Sequence, residues 1–550
     1  MQPHRSKLEW LSRVAEGLNQ KQMRLTDRPS IVVSFLLVAL FIIALIVCFE
    51  PRWETNDDVG MSMVAHGYGI AAFGSPNLIF SNVIWGHIVR AIPDIGGTLG
   101  YSTATYAVLS VVGAVVLHGV ARIDRGAFLP ILFLVIALAR PILLPQFTLN
   151  AGLLLVATTV CWHYYARFGS KSALVLGCIL AFFSALVRFQ EFLLVFAIAV
   201  PILPKELISQ REAQISILTL AIAIAAAVIA DHLAYSGDAW AKFNELNLVR
   251  AAFTDFGVLD RCSFGSQMLK PLGLTANDLR LIASWFFVDA NIADPTKLSE
   301  LLARCSFFSD HNFSLASLEL GFSAIFSSYL LITSLCAILI LIVFPSGRVV
   351  ASWILFFLAI AVMGFLGRPA VARVYFPIIC LLMLSPVLLQ IMDGTKFIWR
   401  RRLIFSSLPT LAMLNLILVG TEAGNGRAAQ AEESLADLPN SLVVTWGAAF
   451  PFEQVYPVIG QNRHATSYHL YGLGAFTQAP FSVATAEAAE GRDFKTLLTR
   501  PEGLDIVSDD TKIELLAQYC NERLDGSLIG DQPGFRRKTL IFHARCLPRH

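Results

Sequence analysis

Three acidic side chains lie within five residues of one another in the segment Glu54-Thr-Asn-Asp-Asp58. A carboxylate placed beside a hydroxyl group can act as a general base, because it accepts the proton as the hydroxyl attacks. The same residues could serve the fold, since Asn56 or Asp57 can accept hydrogen bonds from the free N–H groups of a following helix. Capping needs only one side chain, so the segment predicts Asp57 or Asp58 as a catalytic base and Glu54 as a substrate-binding residue.

Four arginines stand at one side of long apolar stretches: Arg140, Arg188, Arg368 and Arg373. A guanidinium at membrane depth costs about 2.5 kcal/mol or more. Each arginine alone could extend to the membrane surface or pair with a local acid. Four on the same side favour a shared purpose, and the guanidinium fork suits phosphate oxygens. The arginines therefore predict a site for a lipid phosphate.

The composition identifies the elements that must position these residues. The 550 residues are 55% hydrophobic and 15% charged, with a mean hydropathy of +0.62, whereas soluble domains carry about 25% charged residues. The net charge of +2 excludes a nucleic-acid binder driven by bulk electrostatics. The chain is expected to be an α-helical polytopic membrane protein of about eleven spans. These are 31–49, 105–121, 127–144, 148–166, 172–187, 191–204, 213–231, 321–344, 350–367, 371–392 and 403–420.

Basic residues predict the orientation of the chain, because cytoplasmic connections carry an excess of Lys and Arg. The segment 1–29 is rich in both and is expected in the cytoplasm, ahead of a membrane module over 30–420. With eleven spans, the stretches 50–104, 232–320 and 421–550 lie on the external face. In a bacterial inner (plasma) membrane that face is the periplasm.

The first external stretch includes a second helical pattern over 77–93 that is too short and too polar to span a membrane. It is predicted to lie in the membrane interface. Asn82 and Arg90 gather on its polar side, which makes them candidates for substrate binding.

The tail, residues 421–550, alternates apolar runs with a helical pattern from Thr511 to Leu524 and predicts a small external α/β domain. Two pairs of cysteines lie in the external stretches, Cys262 with Cys305 and Cys520 with Cys546. Even pairs in an oxidising compartment predict two disulfides. No C-x-x-C motif or His/Cys cluster suggests a structural zinc site.

Taken together, these features resemble the GT-C class of polytopic glycosyltransferases, which use polyprenyl-phosphate sugars as donors. The resemblance is carried by Asn56-Asp57-Asp58 in the first external loop, by the interfacial helix with Asn82 and Gly86, by the many spans and by the terminal external domain. The oligosaccharyltransferase signature W-W-D-Y-G is absent from the tail, so that branch of the class is not favoured.

The resemblance implies a function for the predicted site. Asp57 or Asp58 would be the base, and Arg368 with Arg373 would be the best candidates for holding the donor phosphate. A sugar would pass from a polyprenyl-phosphate donor to a glycan or lipid acceptor of the cell envelope, with inversion of the anomeric centre. Some branches of the class require a divalent metal and others do not, and the sequence does not decide between them.

Two other functions stay open at this point. A polysaccharide polymerase or ligase is also polytopic, and the loop 232–320 would suit one. The aromatic, amide and acidic residues of that loop, such as Trp285, would suit sugar recognition, although each alone is better explained by an ordinary folded loop. A transporter of lipid-linked glycans would place its polar residues near mid-membrane, whereas the charges here collect at the external ends of the spans.

Overall fold

The computed structural model describes residues 30–124, 128–305, 315–368, 370–391, 398–424, 441–460, 469–530 and 541–549. The predicted cytoplasmic segment, 1–29, lies outside the described residues. The described chain is mostly helical and contains one small β-sheet.

The described residues from 30 to 234 form ten α-helices, most of which are apolar. They are α1 (Ile31–Cys48), α2 (Asn56–His66), α3 (Val83–Ala91), α4 (Gly100–Asp124), α5 (Phe128–Leu143), α6 (Phe147–Phe168), α7 (Lys171–Val187), α8 (Phe189–Ala199), α9 (Glu206–Ser209) and α10 (Arg211–Ala234). The helix predicted over 77–93 is therefore shorter than expected, because Asn82 is its N-cap and Ile92 its C-cap.

The second external stretch forms five short helices, and five further helices return the chain to apolar sequence. They are α11 (Asp238–Thr254), α12 (Val258–Arg261), α13 (Ser266–Leu269), α14 (Ala276–Ala283), α15 (Pro295–Arg304), α16 (Leu315–Ser323), α17 (Leu331–Val343), α18 (Gly347–Phe365), α19 (Ala372–Leu388) and α20 (Ile398–Gly424).

Several of these helices can cross a membrane, which makes the chain a multi-pass membrane protein. Among the described residues five are long and apolar enough on their own: Ile31–Cys48, Gly100–Asp124, Arg211–Ala234, Gly347–Phe365 and Ser406–Gly424. A sixth span would combine Ser317–Phe326 with Leu331–Val343, which meet at a bend of 87°. A helix lies at each of the eleven predicted positions. The count of eleven stays a prediction, because several of these helices have only 11 to 17 residues.

The helix α6 lies at the centre of the bundle. Its 22 residues correspond to about 33 Å at 1.5 Å per residue, enough to cross the hydrocarbon core. It packs against α4, α7 and α19, and most of its side chains are buried, including Asn150, Thr158 and Thr159. A helix that faces protein rather than lipid can carry such polar residues. This explains why the hydropathy of α6 is lower than that of the five helices named above.

The β-sheet belongs to the tail and has five strands in the order β2-β1-β3-β5-β4. The strands are β1 (Val443–Trp446), β2 (Leu470–Leu473), β3 (Leu504–Val507), β4 (Gly526–Gly530) and β5 (Ile541–Pro548). The helices among them are α21 (Phe452–Val455), α22 (Val483–Ala489), α23 (Phe494–Thr499) and α24 (Asp510–Leu524). β1 pairs in parallel with both β2 and β3, and β5 is antiparallel to β3 and β4. The tail thus contains a small mixed sheet with helices, and its being an external domain stays a prediction.

The sheet and the helices of the second external stretch share one hydrophobic core. Phe286 of that stretch packs against Trp446 of β1, Phe494 of α23 and Tyr519 of α24, with ring centroids 5.2–5.4 Å apart. Burying such aromatic groups is a major source of stability. The two parts therefore form one layer, which we call the external layer after the side of the membrane on which it is predicted to lie.

Both predicted disulfides are present in this external layer. Cys262 is bonded to Cys305, and Cys520 is bonded to Cys546, with Cα atoms 5.9 and 5.8 Å apart. The other five cysteines, which lie in or beside apolar helices, are free thiols. The pairing predicted from compartment and even number is confirmed.

Candidate active site

The two adjacent aspartates have different surroundings. Asp58 is 1% exposed. Its Oδ1 accepts hydrogen bonds from the Tyr101 hydroxyl at 2.9 Å and from the Phe147 N–H at 3.0 Å, and its Oδ2 accepts one from the Thr55 hydroxyl at 2.9 Å. Asp58 therefore joins the start of α2 to α4 and to the first turn of α6, and burial raises its pKa to about 7. Because its oxygens already accept these hydrogen bonds, the Asp58 carboxylate positions the start of α2.

Asp57 points away from that network. Its side chain is about a quarter exposed, and its Oδ2 lies 3.7 Å from Nη1 of Arg373. Burial raises the pKa of Asp57 above its ordinary value, while the neighbouring guanidinium groups of Arg373 and Arg188 limit the rise. A raised pKa brings a carboxylate closer to the pH at which it would work as a base.

Neither Asn56 nor Asp57 caps α2, so the capping alternative is wrong. The N-cap is Thr55, which makes no side-chain capping bond. The Asn56 N–H lies near the carboxylate of Glu453 in α21 and limits the rise in the pKa of Glu453 that burial causes. The Asp57 carboxylate is not engaged as a cap.

Asp57 lines a cavity of about 260 Å³, which we call the glycine cavity. Its walls come from the start of α2, from the second external stretch and from the carboxyl ends of β1 and β2. Its lining residues are Asn56, Asp57, Gly60, Ile70, Trp285, Thr445, Gly447, Phe452, Gly472, Leu473, Gly474, Ala475 and Phe476. A Cβ at Gly60 would lie 2.4 Å from the Phe476 ring, so α2 can approach this wall only because the residue is glycine.

Backbone hydrogen bonds fasten α2 to the sheet. The residues that follow α2 contact β2 and the start of α22: the Leu470 N–H of β2 donates to the Gly69 carbonyl at 2.8 Å, and the Val483 N–H of α22 donates to the Ile70 carbonyl at 3.0 Å. Backbone pairing of this kind fixes register as well as distance. The tail is therefore part of the wall that positions Asp57.

A second cavity, of about 510 Å³, collects three of the four predicted phosphate-binding arginines. We call it the arginine cavity. Its lining residues are Arg188, Gln190, Glu191, Leu194, Phe256, Arg261, Met363, Phe365, Leu366, Arg368, Val371, Arg373 and Val374. Four of these are cations and one is an acid. The remainder are mostly apolar, so the cavity suits a ligand with an anionic group and a hydrocarbon part.

The arginines of this cavity differ in how they are held. Arg188 stands between α7 and α8, and its guanidinium carbon lies 4.8 Å from the centre of the Phe147 ring. Arg368 pairs with Asp255 of the external layer at 3.2 Å. Arg373, near the start of α19, faces Asp57. The cavity therefore lies beside Asp57, on the side of Asp57 that faces Arg373.

The fourth predicted arginine, Arg140, does not join them. Its guanidinium forms a fork with Glu422, with N–O distances of 2.8 and 2.9 Å, and Nη2 also lies 2.9 Å from Oε1 of Glu54. The side chain is 3% exposed and lies over the Tyr329 ring at 3.4 Å. Because its Nη1 and Nη2 atoms are occupied by carboxylates, Arg140 joins α5 to α20 through Glu422 and to the start of the first external stretch through Glu54. Arg140 and Glu54 are therefore left out of the proposed site.

Asn82 and Arg90 are also separate from both cavities. Asn82 caps α3, since its Oδ1 accepts from the Ile84 N–H at 3.0 Å, and its Nδ2 donates to the Ala227 carbonyl at 2.8 Å. Arg90 is exposed at the other end of α3. The two residues were grouped because helical spacing places them on one side of α3. In the structure, Asn82 packs α3 against α10.

Sequence reasoning did not single out three residues that line the cavities. Arg261 and Glu191 line the arginine cavity, and Thr445 lines the glycine cavity. Arg261 directly precedes Cys262 of a disulfide, which is a signal that could have identified it. Glu191 and Thr445 lie in an apolar helix and an apolar strand, and a buried polar residue in such a setting was the available signal.

No residues are assigned as metal ligands. Within the part of the chain that the structure describes, no group of three or more His, Cys, Asp or Glu side chains is arranged to hold a metal ion.

Comparison with known proteins finds similarity among solved structures. No protein-family model and no curated protein matches the sequence. The chain is similar to ArnT from Cupriavidus metallidurans bound to undecaprenyl phosphate, with 13% identity and a TM-score of 0.39, over 93% of this chain and 97% of that one. It is similar to the apo state of the same protein with 14% identity, the same TM-score and the same coverage. Similarity at this level does not extend to individual residues.

Proposed function

We propose that the protein is a membrane glycosyltransferase that moves a sugar from a polyprenyl-phosphate donor to a glycan or lipid acceptor of the cell envelope. The observation that carries the proposal is the position of Asp57 between two cavities. Asp57 lines the glycine cavity and lies 3.7 Å from Arg373, which lines the arginine cavity. A base that deprotonates one substrate beside the leaving group of another requires this arrangement.

The arginine cavity is proposed to hold the donor. Arg188, Arg368 and Arg373 supply guanidinium forks for phosphate oxygens, and side chains such as Met363 and Leu366 supply an apolar wall for the polyprenyl chain. The ion pair of Arg368 with Asp255 is about half exposed on the arginine side, so a phosphate can replace that partner at low cost.

The reaction is a single displacement. Asp57 removes the proton from an acceptor hydroxyl, whose oxygen then forms a bond to the anomeric carbon of the donor sugar. The bond between that carbon and the phosphate oxygen breaks, and both electrons leave with the phosphate. The arginines neutralise the departing negative charge, so no strong acid is needed. Attack opposite the leaving group inverts the anomeric centre.

The identity of the base and the orientation in the membrane belong to the same proposal. Asp58 orients the start of α2, so the base is Asp57. The protein is placed in the inner membrane with a cytoplasmic N-terminus, the membrane module 30–420, and the site and the tail 421–550 on the periplasmic face. Positive charge in the short connections supports this orientation.

Binding of undecaprenyl phosphate to the full-length protein in lipid nanodiscs tests the donor site. Arg373→Gln should weaken binding about 10-fold or more, because a charge-assisted hydrogen bond contributes about 1.5–3 kcal/mol. The matched control is Arg90→Gln, an exposed arginine that lines neither cavity. Equal affinities of wild type, Arg373→Gln and Arg368→Gln would contradict the assignment of the arginine cavity.

A further inference from the structure

The glycine cavity contains a buried hydroxyl group without a partner. Thr445 is 2% exposed, and among the described residues its Oγ1 has no hydrogen-bond partner. A buried hydroxyl group without a hydrogen-bond partner destabilises a fold. Since Thr445 also lines the cavity, a ligand hydroxyl placed there would provide the missing partner.

The position of this hydroxyl in the sheet is typical of a binding site. Thr445 lies near the carboxyl end of β1, and its cross-strand neighbour Gly472 lies near the carboxyl end of the parallel strand β2. Ligands of open α/β sheets bind outside the carboxyl ends of parallel strands. Gly447 and Gly474, the residues just after the two strands, complete this wall.

An aromatic ring forms another part of the wall. Trp285 has a left-handed backbone conformation with φ of 69°. Its neighbours hold it there, since the Trp446 indole N–H donates to the Ser284 carbonyl at 2.6 Å and the Gln478 amide donates to the Phe287 carbonyl at 2.8 Å. The Trp285 indole offers an apolar face beside polar groups, which suits the C–H face of a hydroxylated ring.

The charge of the cavity selects against an anionic ligand. Asp57 is the one charged side chain among the described residues that line it. Three cations adjoin the wall and are engaged: Arg373 faces Asp57 at 3.7 Å, Arg250 donates to the Ala475 carbonyl at 2.7 Å, and Lys512 is paired with Asp509. A phosphate here would face a carboxylate with no free cation from the lining residues, whereas a neutral hydroxyl can donate to it.

We infer that the glycine cavity binds one neutral saccharide ring, and that this ring carries the acceptor hydroxyl. The ring stacks on Trp285 and hydrogen-bonds to Thr445 Oγ1 and Asn56, and one hydroxyl donates to Asp57. The volume of about 260 Å³ is below the range of about 300–1,000 Å³ for pockets that hold drug-sized ligands, so it admits a single ring. This inference rests on the proposed function, which it deepens by naming the class of acceptor.

Saturation-transfer NMR on the full-length protein in nanodiscs provides the test, with a panel of neutral methyl hexopyranosides and with glucose 6-phosphate as the anionic probe. The neutral glycosides should bind and the hexose phosphate should bind more weakly. Gly474→Leu should abolish binding, because Gly474 lines the cavity and a leucine side chain would fill its space. The fold should tolerate the change, because a Cβ at Gly474 meets no atom within 4 Å and its φ is outside the left-handed region. Thr445→Val should weaken binding about 3–10-fold, the range for one neutral hydrogen bond.

The controls separate this inference from the proposed function. Thr445→Val and Gly474→Leu should bind undecaprenyl phosphate as the wild type does, and Arg373→Gln should retain glycoside binding. Failure of every neutral glycoside to bind, preference for the hexose phosphate, or an unchanged signal in Gly474→Leu would overturn the inference and leave the donor site standing. Glycoside binding in a protein that never binds undecaprenyl phosphate would sustain the saccharide cavity and refute the proposed function.

Discussion

Replacing the two neighbouring aspartates by alanine should affect the stability of the protein very differently. Asp58→Ala removes the acceptor of the buried Phe147 N–H and of the Tyr101 hydroxyl, which is 2% exposed. Each buried polar group left without a partner costs about 1–3 kcal/mol, so the loss should be about 2–6 kcal/mol. Asp57→Ala should change stability by less than about 1 kcal/mol, because it removes a partly exposed ion pair of 3.7 Å.

Unfolding of the two variants in nanodiscs, followed by tryptophan fluorescence, measures this difference. Asp58→Asn is the matched control, because its amide oxygen can accept from Phe147 and Tyr101 while its N–H group donates to the Thr55 hydroxyl. It should therefore be far more stable than Asp58→Ala. Equal unfolding temperatures for Asp58→Ala and Asp57→Ala would refute the division of roles between the two residues.

The pH dependence of stability gives an independent measure of Asp58. Burial raises the pKa of Asp58 to about 7, above its value of about 4 in an unfolded chain. The folded state then binds the proton more tightly, so the stability from this group is complete below about pH 4 and is lost as the pH rises to about 7. The wild type should lose stability relative to Asp58→Asn between pH 4 and 7, and a constant difference would contradict the assignment.

Three further predictions concern the rest of the fold. Arg140→Ala should destabilise the protein by about 3–5 kcal/mol, because it leaves a buried carboxylate without its partner, and an unchanged unfolding temperature would argue against the pair. Cys520 and Cys546 should react with maleimide only after reduction, and reduction should cost about 3 kcal/mol for a loop of 26 residues; labelling before reduction would contradict the disulfide. A periplasmic reporter fused after Gly424 should be active and one near Arg401 inactive, and the same result at both would refute the orientation.

The sequence predicted the parts of the fold that depend on local pattern. Long apolar runs gave helices at each expected position, and the helix expected from Thr511 to Leu524 is present as Asp510–Leu524. The disulfides followed from the number of cysteines and their compartment. These inferences succeed because the membrane and the redox environment act on each segment separately.

The sequence did not predict which charges meet. Arg140 and Arg373 stand in similar settings along the chain, yet Arg140 faces two glutamates and Arg373 faces Asp57 and a cavity. One of the Arg140 partners, Glu422, is 282 residues away. Contacts of such separation depend on how the helices pack, and no periodicity along the chain records them.

The separate roles of Asp57 and Asp58 were only partly accessible. The spacing of about 100° per residue in a helix implied that the two side chains point in different directions. It did not show which one faces Tyr101 and Phe147. That contact is set by α4 and α6, which close around the start of α2.

Sugar transfer by the Asp57→Asn variant tests most directly the claim that Asp57 is the base. Envelope glycans and lipids should be analysed by mass spectrometry in cells that lack the protein and in cells that carry the wild type, Asp57→Asn or Arg90→Gln. The wild type and Arg90→Gln should restore a mass increment of one sugar. Asp57→Asn should not, because loss of a positioned base slows a reaction by about 10²–10⁴-fold, although the variant should accumulate and bind undecaprenyl phosphate normally. Full restoration of the sugar by Asp57→Asn would contradict the account.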